Sequence, residues 1–170
     1  MSGSDAVERA RRAADAEDAF EETARGQYAI ATTVFDAAVS IGGDDGKATF
    51  SVTVRVPMLD ATTADRVAPV VEDGWFDTFA LRMEDVDGAL RGSDEVDVEV
   101  EREGEKAVIR AEIDDIDAKR GASNAVAVVD YVEGTYVEGI IPGYEYTEPV
   151  THLIQRAADT AGGSQGGTPL

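Results

Sequence analysis

The chain contains no cysteine, and it contains few basic residues. The absence of cysteine excludes disulfide bonds, thiol catalysis and cysteine-based metal sites together. Lys and Arg number 15, of which only Lys47, Lys106 and Lys119 are lysines, against 35 Asp and Glu, so the net charge is -20. Because phosphate groups are neutralised by a basic protein face, this balance argues against nucleic acid and against an anionic membrane as partners.

Long apolar runs are also absent. No run approaches the roughly 18 residues that would suggest a membrane span, and residues 1–5 lack the basic-then-apolar pattern of a signal peptide. We therefore expect a soluble, cytoplasmic protein. With 170 residues and 43% hydrophobic content, we expect one domain over residues 1–161, followed by a disordered Gly/Ser-rich tail over residues 162–170.

The surplus of acidic residues indicates the solvent in which the protein works. A net charge of -20 causes strong self-repulsion in dilute buffer, whereas at molar salt the Debye length shrinks to roughly 3 Å and the repulsion is screened. Scarce lysine and abundant aspartate, alanine and valine fit the salt-rich cytoplasm of haloarchaea. An acidic protein from a mesophile is the alternative.

Hydrophobic periodicity predicts the fold. A helical pattern covers residues 4–23, and two phases of alternation with a break at Val34–Phe35 predict two short strands. Residues 42–46 predict a hairpin turn into a strand whose alternate positions are Phe50, Val52, Val54 and Val56. A second hairpin turns near Gly104.

Three further helical regions are predicted, over residues 67–90 with a break at Gly74, 123–140 and 147–161. The order of elements predicts the α+β class. We expect a single antiparallel sheet of about five strands with N-terminal, central and C-terminal helices packed on it.

Three short motifs are considered as reactive or binding sites. Gly46-Lys47 lacks the remaining residues of a phosphate-binding loop, and a strand follows it instead of a helix. The acidic run of residues 114–117 lacks calcium-loop spacing, and the only histidine, His152, has no catalytic or metal-ligating company. We therefore predict no catalytic, cofactor-binding or metal-binding residue, and no enzyme activity.

Two segments are rich in aromatic residues and glycine, 70–79 and 130–149. Such residues either line a binding surface or fill the core between alanine-rich helices. For partner binding, the candidates are Trp75, Phe76, Tyr131, Tyr136, Tyr144 and Tyr146.

The stretches VAPVVEDGWFDTF and DYVEGTYVEGIIPGYEY resemble the signature stretches of a family of small acidic haloarchaeal proteins of unknown function. The resemblance covers residues 19–157 and implies no catalytic residue. The order of elements is also similar to that of type III secretion chaperones, which are dimerising, protein-binding α+β domains.

These observations predict a non-catalytic adaptor or chaperone-like domain that binds another protein, with self-association into a homodimer as an additional expectation. The alternative is a small-molecule-binding protein or hydrolase with a pocket between the sheet and the C-terminal helices. Its polar candidates are Asp130, Glu133, Glu138, Glu145 and Arg55. A structural or stress-related protein without a specific partner is a third hypothesis.

Overall fold

A computed structural model describes residues 3–44, 46–92 and 95–165, which form one antiparallel sheet of six strands and four α-helices. In chain order the elements are α1 (Gly3–Asp15), β1 (Phe20–Ala24), β2 (Gln27–Ile30), β3 (Asp36–Asp44), β4 (Lys47–Pro57), α2 (Pro69–Met83), β5 (Glu95–Glu103), β6 (Lys106–Asp115), α3 (Ala118–Glu138) and α4 (Val150–Gln165).

The sheet has the order β1-β2-β3-β4-β6-β5, with every neighbouring pair antiparallel. The predicted α+β class is confirmed, but the sheet has six strands where about five were expected. The additional strand is β1, which the sequence pattern had assigned to the first helix. Phe20 pairs with Ile30 and stacks edge-to-face on Tyr28 at 5.5 Å between ring centroids, so pairing with β2 overrides the local helical pattern.

The helices cover one face of the sheet. Along β4 the side chains of Phe50, Val52, Val54 and Val56 are buried in the core, whereas the alternate residues from Thr49 to Arg55 are half-exposed on the other face. Both α1 and α3 contact β4, and α2 and α4 contact α3. A core on one face and solvent on the other is the usual arrangement of an antiparallel sheet.

The helix α3 lies unusually close to the sheet at Gly121. A Cβ atom built on Gly121 would lie 2.3 Å from Cε1 and 2.9 Å from Cδ1 of the Phe50 ring. Only glycine allows α3 and β4 to approach this closely. The backbone of α3 at Gly121 therefore packs directly on the Phe50 ring of β4.

Several helix boundaries differ from the sequence-based predictions. The first helix ends at Asp15, α2 begins at Pro69 and runs without a break through Gly74, and α4 extends to Gln165. Helix α3 begins at Ala118, five positions before the predicted start, because the Asp117 carboxylate caps it by accepting the Arg120 backbone N–H at 3.1 Å. The end of the predicted tail, residues 166–170, lies outside the described residues, as does Asp45 of the predicted turn.

Tyr136 on α3 is fully buried at the centre of an aromatic cluster with Phe35, Trp75 and Phe79. Its hydroxyl donates a hydrogen bond of 2.9 Å to the backbone carbonyl of Pro57 at the end of β4. Burial raises the pKa of Tyr136 above its ordinary value, so the hydroxyl remains protonated and available as a donor. The bond fixes α3 to the end of the longest strand.

Replacing Tyr136 by phenylalanine is expected to lower the free energy of unfolding by about 1–2 kcal/mol, because the Pro57 carbonyl loses this donor inside the core. Urea unfolding at molar KCl measures the change. The matched control is Tyr131→Phe, which removes a hydroxyl that also donates to a carbonyl but from a half-exposed ring. An equal or smaller loss for Tyr136→Phe than for Tyr131→Phe would contradict the expectation.

Candidate functional site

A solvent-open groove lies between α2 and α3, which we call the α2–α3 groove. It consists of two cavities that are both lined by Arg82, Thr135 and Glu138. The cavity of about 550 Å³ is further lined by most of the charged side chains, and we call it the polar end. The cavity of about 320 Å³ is further lined by most of the large apolar side chains, and we call it the apolar end. The polar end is further lined by Asp85, Ala89, Ala127, Asp130, Tyr131 and Gly134. The apolar end is further lined by Val71, Gly74, Trp75, Thr78, Phe79, Gly139, Ile140, Ile141 and Pro142.

The apolar wall of the groove is formed by the segment that follows α3. Helix α3 ends at Glu138 and is followed by Gly139, where a Cβ would lie 2.9 Å from the indole nitrogen of Trp75, so the chain passes close to α2. The backbone N–H of Ile141 then donates to the Tyr146 hydroxyl at 2.9 Å. These contacts hold Ile140, Ile141 and Pro142 in place, so the apolar end of the groove is preformed.

The polar end carries more negative than positive charge. Asp85, Asp130 and Glu138 surround Arg82, whose Nε lies 3.8 Å from the Glu138 carboxylate in an exposed pair that contributes little stability. Burial and then the charge of Glu133 raise the pKa of Asp130, against the opposing effect of Arg156. The Asp130 carboxylate accepts no hydrogen bond within the part of the chain that the structure describes. A cationic group would therefore be favoured at this end.

At the polar end, Tyr131 of α3 forms a hydrogen bond to α2. Its hydroxyl donates to the backbone carbonyl of Arg82 at 2.8 Å, and this carbonyl in the last turn of α2 also accepts the backbone N–H of Asp85 at 3.2 Å. Burial raises the pKa of Tyr131 above its ordinary value, which keeps the proton needed for this bond. The spacing of α2 and α3 at the polar end is thus fixed by a direct contact between them.

On its other side α3 is tied to α4 and to the β2–β3 connection through Glu133. This largely buried carboxylate accepts hydrogen bonds from the Thr33 hydroxyl and from the Val34 N–H at 3.3 Å, and it lies 3.7 Å from a guanidinium nitrogen of Arg156. A separate cavity of about 450 Å³ lies between α3 and α4, and its lining includes Asp130 and Glu133. Glu133 therefore has a structural role, because it links α3 to α4 and to the β2–β3 connection.

The six aromatic residues predicted to bind a partner do not form one surface. Trp75 and Tyr136 are buried, and the remaining four are half-buried against the core. Trp75 and Tyr131 line the α2–α3 groove. The other four do not line it: Phe76, Tyr136, Tyr144 and Tyr146. The role of all six in partner binding remains a prediction, and two of them, Trp75 and Tyr131, line the α2–α3 groove.

The five polar residues of the alternative hypothesis are only partly brought together. Asp130 lies with Glu133 in the α3–α4 cavity and with Glu138 at the polar end of the α2–α3 groove. Glu145 lies in the α3–α4 connection, where its backbone N–H donates to Asp65, and Arg55 lies on the face of the sheet away from the helices. Both cavities lie between helices rather than between the sheet and the C-terminal helices.

The acidic run at the end of β6 has a structural role. The Asp115 carboxylate is 3% exposed and accepts hydrogen bonds from Arg120 Nε at 2.9 Å, Arg120 Nη2 at 2.7 Å and the Asp117 N–H at 2.8 Å. Asp114 accepts from the Thr49 hydroxyl at 2.6 Å. In the part of the chain that the structure describes, no group of three or more His, Cys, Asp or Glu side chains is placed to hold a metal ion.

The residues of the two other short motifs, Lys47 and His152, are exposed. Lys47 begins β4 directly after the Gly46 turn, and His152 is exposed on α4. Arg82 and Asp85, which shape the polar end of the groove, were not predicted by sequence reasoning, because nothing local distinguishes them from other charged surface residues. The Ile140-Ile141-Pro142 run could have been found, since an apolar run immediately after a helix stop has few solvent-facing explanations.

The fold and the groove define a small α+β domain that carries helices on one face of an antiparallel sheet and a preformed groove between two of them. The chain belongs to the family of unknown function DUF5813, whose model matches residues 15–156. No similar curated protein and no similar solved structure was found. None of the helices in the described part of the chain has the length and apolar character that crossing a bilayer requires.

Proposed function

We propose that this domain is a non-catalytic, protein-binding adaptor or chaperone-like module, which holds a segment of a partner protein in the α2–α3 groove. The observation that carries the proposal is the preformed apolar wall of Ile140, Ile141 and Pro142, which faces Trp75 and Val71 across an open groove. Preformed apolar clefts with few fixed polar groups are the usual sites for binding other molecules. A helix or an extended segment with apolar anchors fits such a groove.

The charge at the polar end specifies the partner further. Asp85, Asp130 and Glu138 outnumber the single cation Arg82 there, and the whole chain carries a net charge of -20. Electrostatic complementarity selects partners of opposite sign. The proposed partner segment therefore has apolar anchors followed by a lysine or arginine side chain.

Two wider observations agree with this role. The order of a helix, four strands, a helix, two strands and two helices has one strand and one helix more than that of type III secretion chaperones, so the similarity is an analogy of fold outline and not of site. The acidic composition suits a protein of a haloarchaeal, salt-rich cytoplasm, where surface charge is screened. The alternative of a carboxylate-lined catalytic pocket has less support, because Asp130 and Glu138, which line the same cavity, are both exposed, and Arg55 lies on the other face of the sheet.

A groove-filling substitution tests the proposal. Thr78 is exposed on the groove wall, so Thr78→Trp should fill the groove while leaving the fold intact. We expect this variant to bind the partner at least about tenfold more weakly, which is a loss of about 1.4 kcal/mol. Partners are captured from native lysate at molar KCl and identified. Synthetic peptides that cover the sequence of each partner are then titrated against the purified protein by fluorescence anisotropy.

The matched control is Thr32→Trp, which places the same large side chain on an exposed position of the β2–β3 connection. Peptide binding should be unchanged in this control, and the tightest peptide should lose affinity when its Lys or Arg is replaced by Glu. Equal binding by Thr78→Trp and the native protein, or failure to capture any partner, would contradict the proposal.

A further inference from the structure

The two edge strands of the sheet, β1 and β5, differ in length and in regularity. Strand β1 has five residues, and its register with β2 shifts between Glu22 and Ala24. Strand β5 has nine residues, and all nine pair with β6 without a shift of register. Short or irregular edges resist the addition of another strand, whereas a long regular edge is a template for it. The β5 edge therefore has the geometry that strand addition requires.

Half of the backbone groups of β5 face away from β6. In an antiparallel pair, alternate residues of an edge strand turn both the N–H and the C=O away from the neighbouring strand. In the described part of the chain, the backbone of residues 95–103 forms hydrogen bonds with β6 alone. A row of donors and acceptors about 30 Å long is thus available to an extended segment that lies alongside β5.

One face of β5 is an incomplete row of the core. Val96, Val98 and Val100 pack against the core but are only half-buried. The residues opposite them on β6 are at most 1% exposed. The difference arises because β6 has a strand on each side, whereas β5 is the last strand of the sheet. Apolar side chains of an added strand would extend this row and remove the valines from water.

The other face of β5 is acidic. Asp97, Glu99, Glu101 and Glu103 alternate with the valines and are exposed. Arg110 of β6 forms ion pairs with Glu101 at 3.4 Å and with Glu103 at 3.0 Å. The negative charge of this row is therefore partly balanced at the end of β5 near the turn into β6.

The charge at the beginning of β5 is not balanced. Asp97 lies directly opposite Glu112 of β6, and like charges in directly opposite positions destabilise a sheet. Among the described residues, neither of these two carboxylates forms an ion pair. A lysine or arginine of an added strand, placed beside Asp97, would relieve this repulsion.

The same charges determine which strand can add. The β5 strand of a second copy would bring another row of carboxylates alongside the first, and each chain carries a net charge of -20, so pairing between copies is disfavoured. An edge that repels acidic strands still attracts a strand of the opposite sign. The segment that fits the backbone, the valines and the carboxylates together is extended, with alternating apolar and basic residues.

We propose that the edge of β5 binds such a segment of another protein by strand addition. The segment becomes a seventh strand, with its apolar residues beside the valines of β5 and its basic residues beside Asp97 and Glu99. The described lining of the α2–α3 groove contains no residue of β5. The proposal therefore does not depend on the function proposed for that groove.

A nine-residue peptide of alternating valine and lysine, acetylated and amidated at its ends, tests the proposal. At the lowest KCl concentration that preserves the circular dichroism spectrum, calorimetric titration should show saturable binding of one peptide per chain. The affinity should fall as KCl is raised, because salt screens the charges. A peptide with glutamate in place of lysine should not bind. No binding of the lysine peptide, or equal binding of both peptides, would overturn the proposal.

Amide hydrogen exchange distinguishes strand addition from general attraction between a basic peptide and an acidic protein. In the free protein, the outward-facing amides of residues 95–103 should exchange rapidly. With saturating lysine peptide they should exchange at least about tenfold more slowly, because each then donates to the added strand. Amides of β1, at the other edge of the sheet, should be unaffected. Binding that leaves exchange in β5 unchanged would overturn the proposal.

A charge reversal tests the assigned position of the basic residues. Asp97→Lys should bind the lysine peptide about tenfold more weakly and should bind the glutamate peptide, because the charge beside the added strand is reversed. The fold should be preserved, since Asp97 is exposed and a lysine opposite Glu112 replaces a repulsive pair by an attractive one.

Two control variants accompany Asp97→Lys. Glu21→Lys makes the same change of charge at an exposed position of β1, and Thr78→Trp fills the α2–α3 groove. Both should bind the lysine peptide nearly as well as the native chain. Equal losses in Asp97→Lys and Glu21→Lys would show that binding follows total charge, and a loss confined to Thr78→Trp would place the peptide in the groove. Either result would overturn the proposal.

Discussion

Replacing Gly121 by alanine should lower the free energy of unfolding by about 1–3 kcal/mol, which is the usual cost of overpacking a core. The new Cβ would lie 2.3 Å from Cε1 of Phe50, whose ring is fully buried against the sheet. The ring cannot rotate away without displacing its neighbours, so α3 must move away from β4. Urea unfolding at molar KCl, analysed by linear extrapolation, measures the change.

The matched control for this prediction lies in the same helix. Gly134 is also inside α3, but a Cβ added there would meet nothing within 4 Å. Gly134→Ala should therefore raise the free energy of unfolding by about 0.5–1 kcal/mol, through the higher helix propensity of alanine. If the two substitutions changed stability in the same direction, the close contact between Gly121 and Phe50 could not be the cause.

Replacing Asp115 by asparagine should lower the free energy of unfolding at neutral pH by about 2–3 kcal/mol. The Asn amide would turn an N–H group towards the donors of Arg120 or Asp117, so at least one buried hydrogen bond is lost. Breaking a fully buried ion pair costs about 3–5 kcal/mol. The expected loss is smaller here because Arg120 remains partly open to water.

The pH dependence provides the check on Asp115. Burial acts to raise the pKa of Asp115, but hydrogen bonds from Arg120 and the Asp117 N–H outweigh it and hold the pKa below its ordinary value. A depressed pKa contributes stability above the unfolded-state value of about 3.9, and that contribution is lost as the pH falls through the folded-state pKa. The difference in stability between the native chain and Asp115→Asn should therefore be constant at neutral pH and shrink below about pH 4.

Unfolding curves at a series of pH values measure this difference. Asp159→Asn, which removes an exposed carboxylate from α4, serves as the control and should differ little from the native chain at any pH. A gap between the native chain and Asp115→Asn that stayed constant down to acid pH would show that the Asp115 charge does not stabilise the fold.

The sheet core was predictable from the sequence because its signal is local. The alternation from Phe50 to Val56 was assigned correctly, as was the break before β3. Strand β1 was missed because its burial pattern after Phe20 shows no alternation, and only pairing with β2 makes it a strand. Alternating patterns fail at such edge strands, where few side chains enter the core.

The groove and the buried carboxylates could not be predicted, because they depend on which elements meet. Glu72 appears in the sequence as one more acid, yet it is buried and accepts hydrogen bonds from the Asp60 N–H at 2.7 Å and from Arg102 at 2.5 Å. Likewise, composition alone cannot separate Trp75, which is buried, from Val70, which is exposed on the same helix. Only the packing of α2 on α3 decides which of them is available to a partner.

The order of strands in the sheet also determines how the chain reaches its fold. The β3–β4 and β5–β6 hairpins each join neighbouring strands, and isolated hairpins form within about 1–10 μs. The two halves of the sheet meet only where β4 pairs with β6, across the 48 residues from 58 to 105 that include α2. Closing so long a loop is entropically costly before its contacts form. The β4–β6 seam is thus expected to limit the folding rate, and substitutions along it should slow folding more than those inside either hairpin.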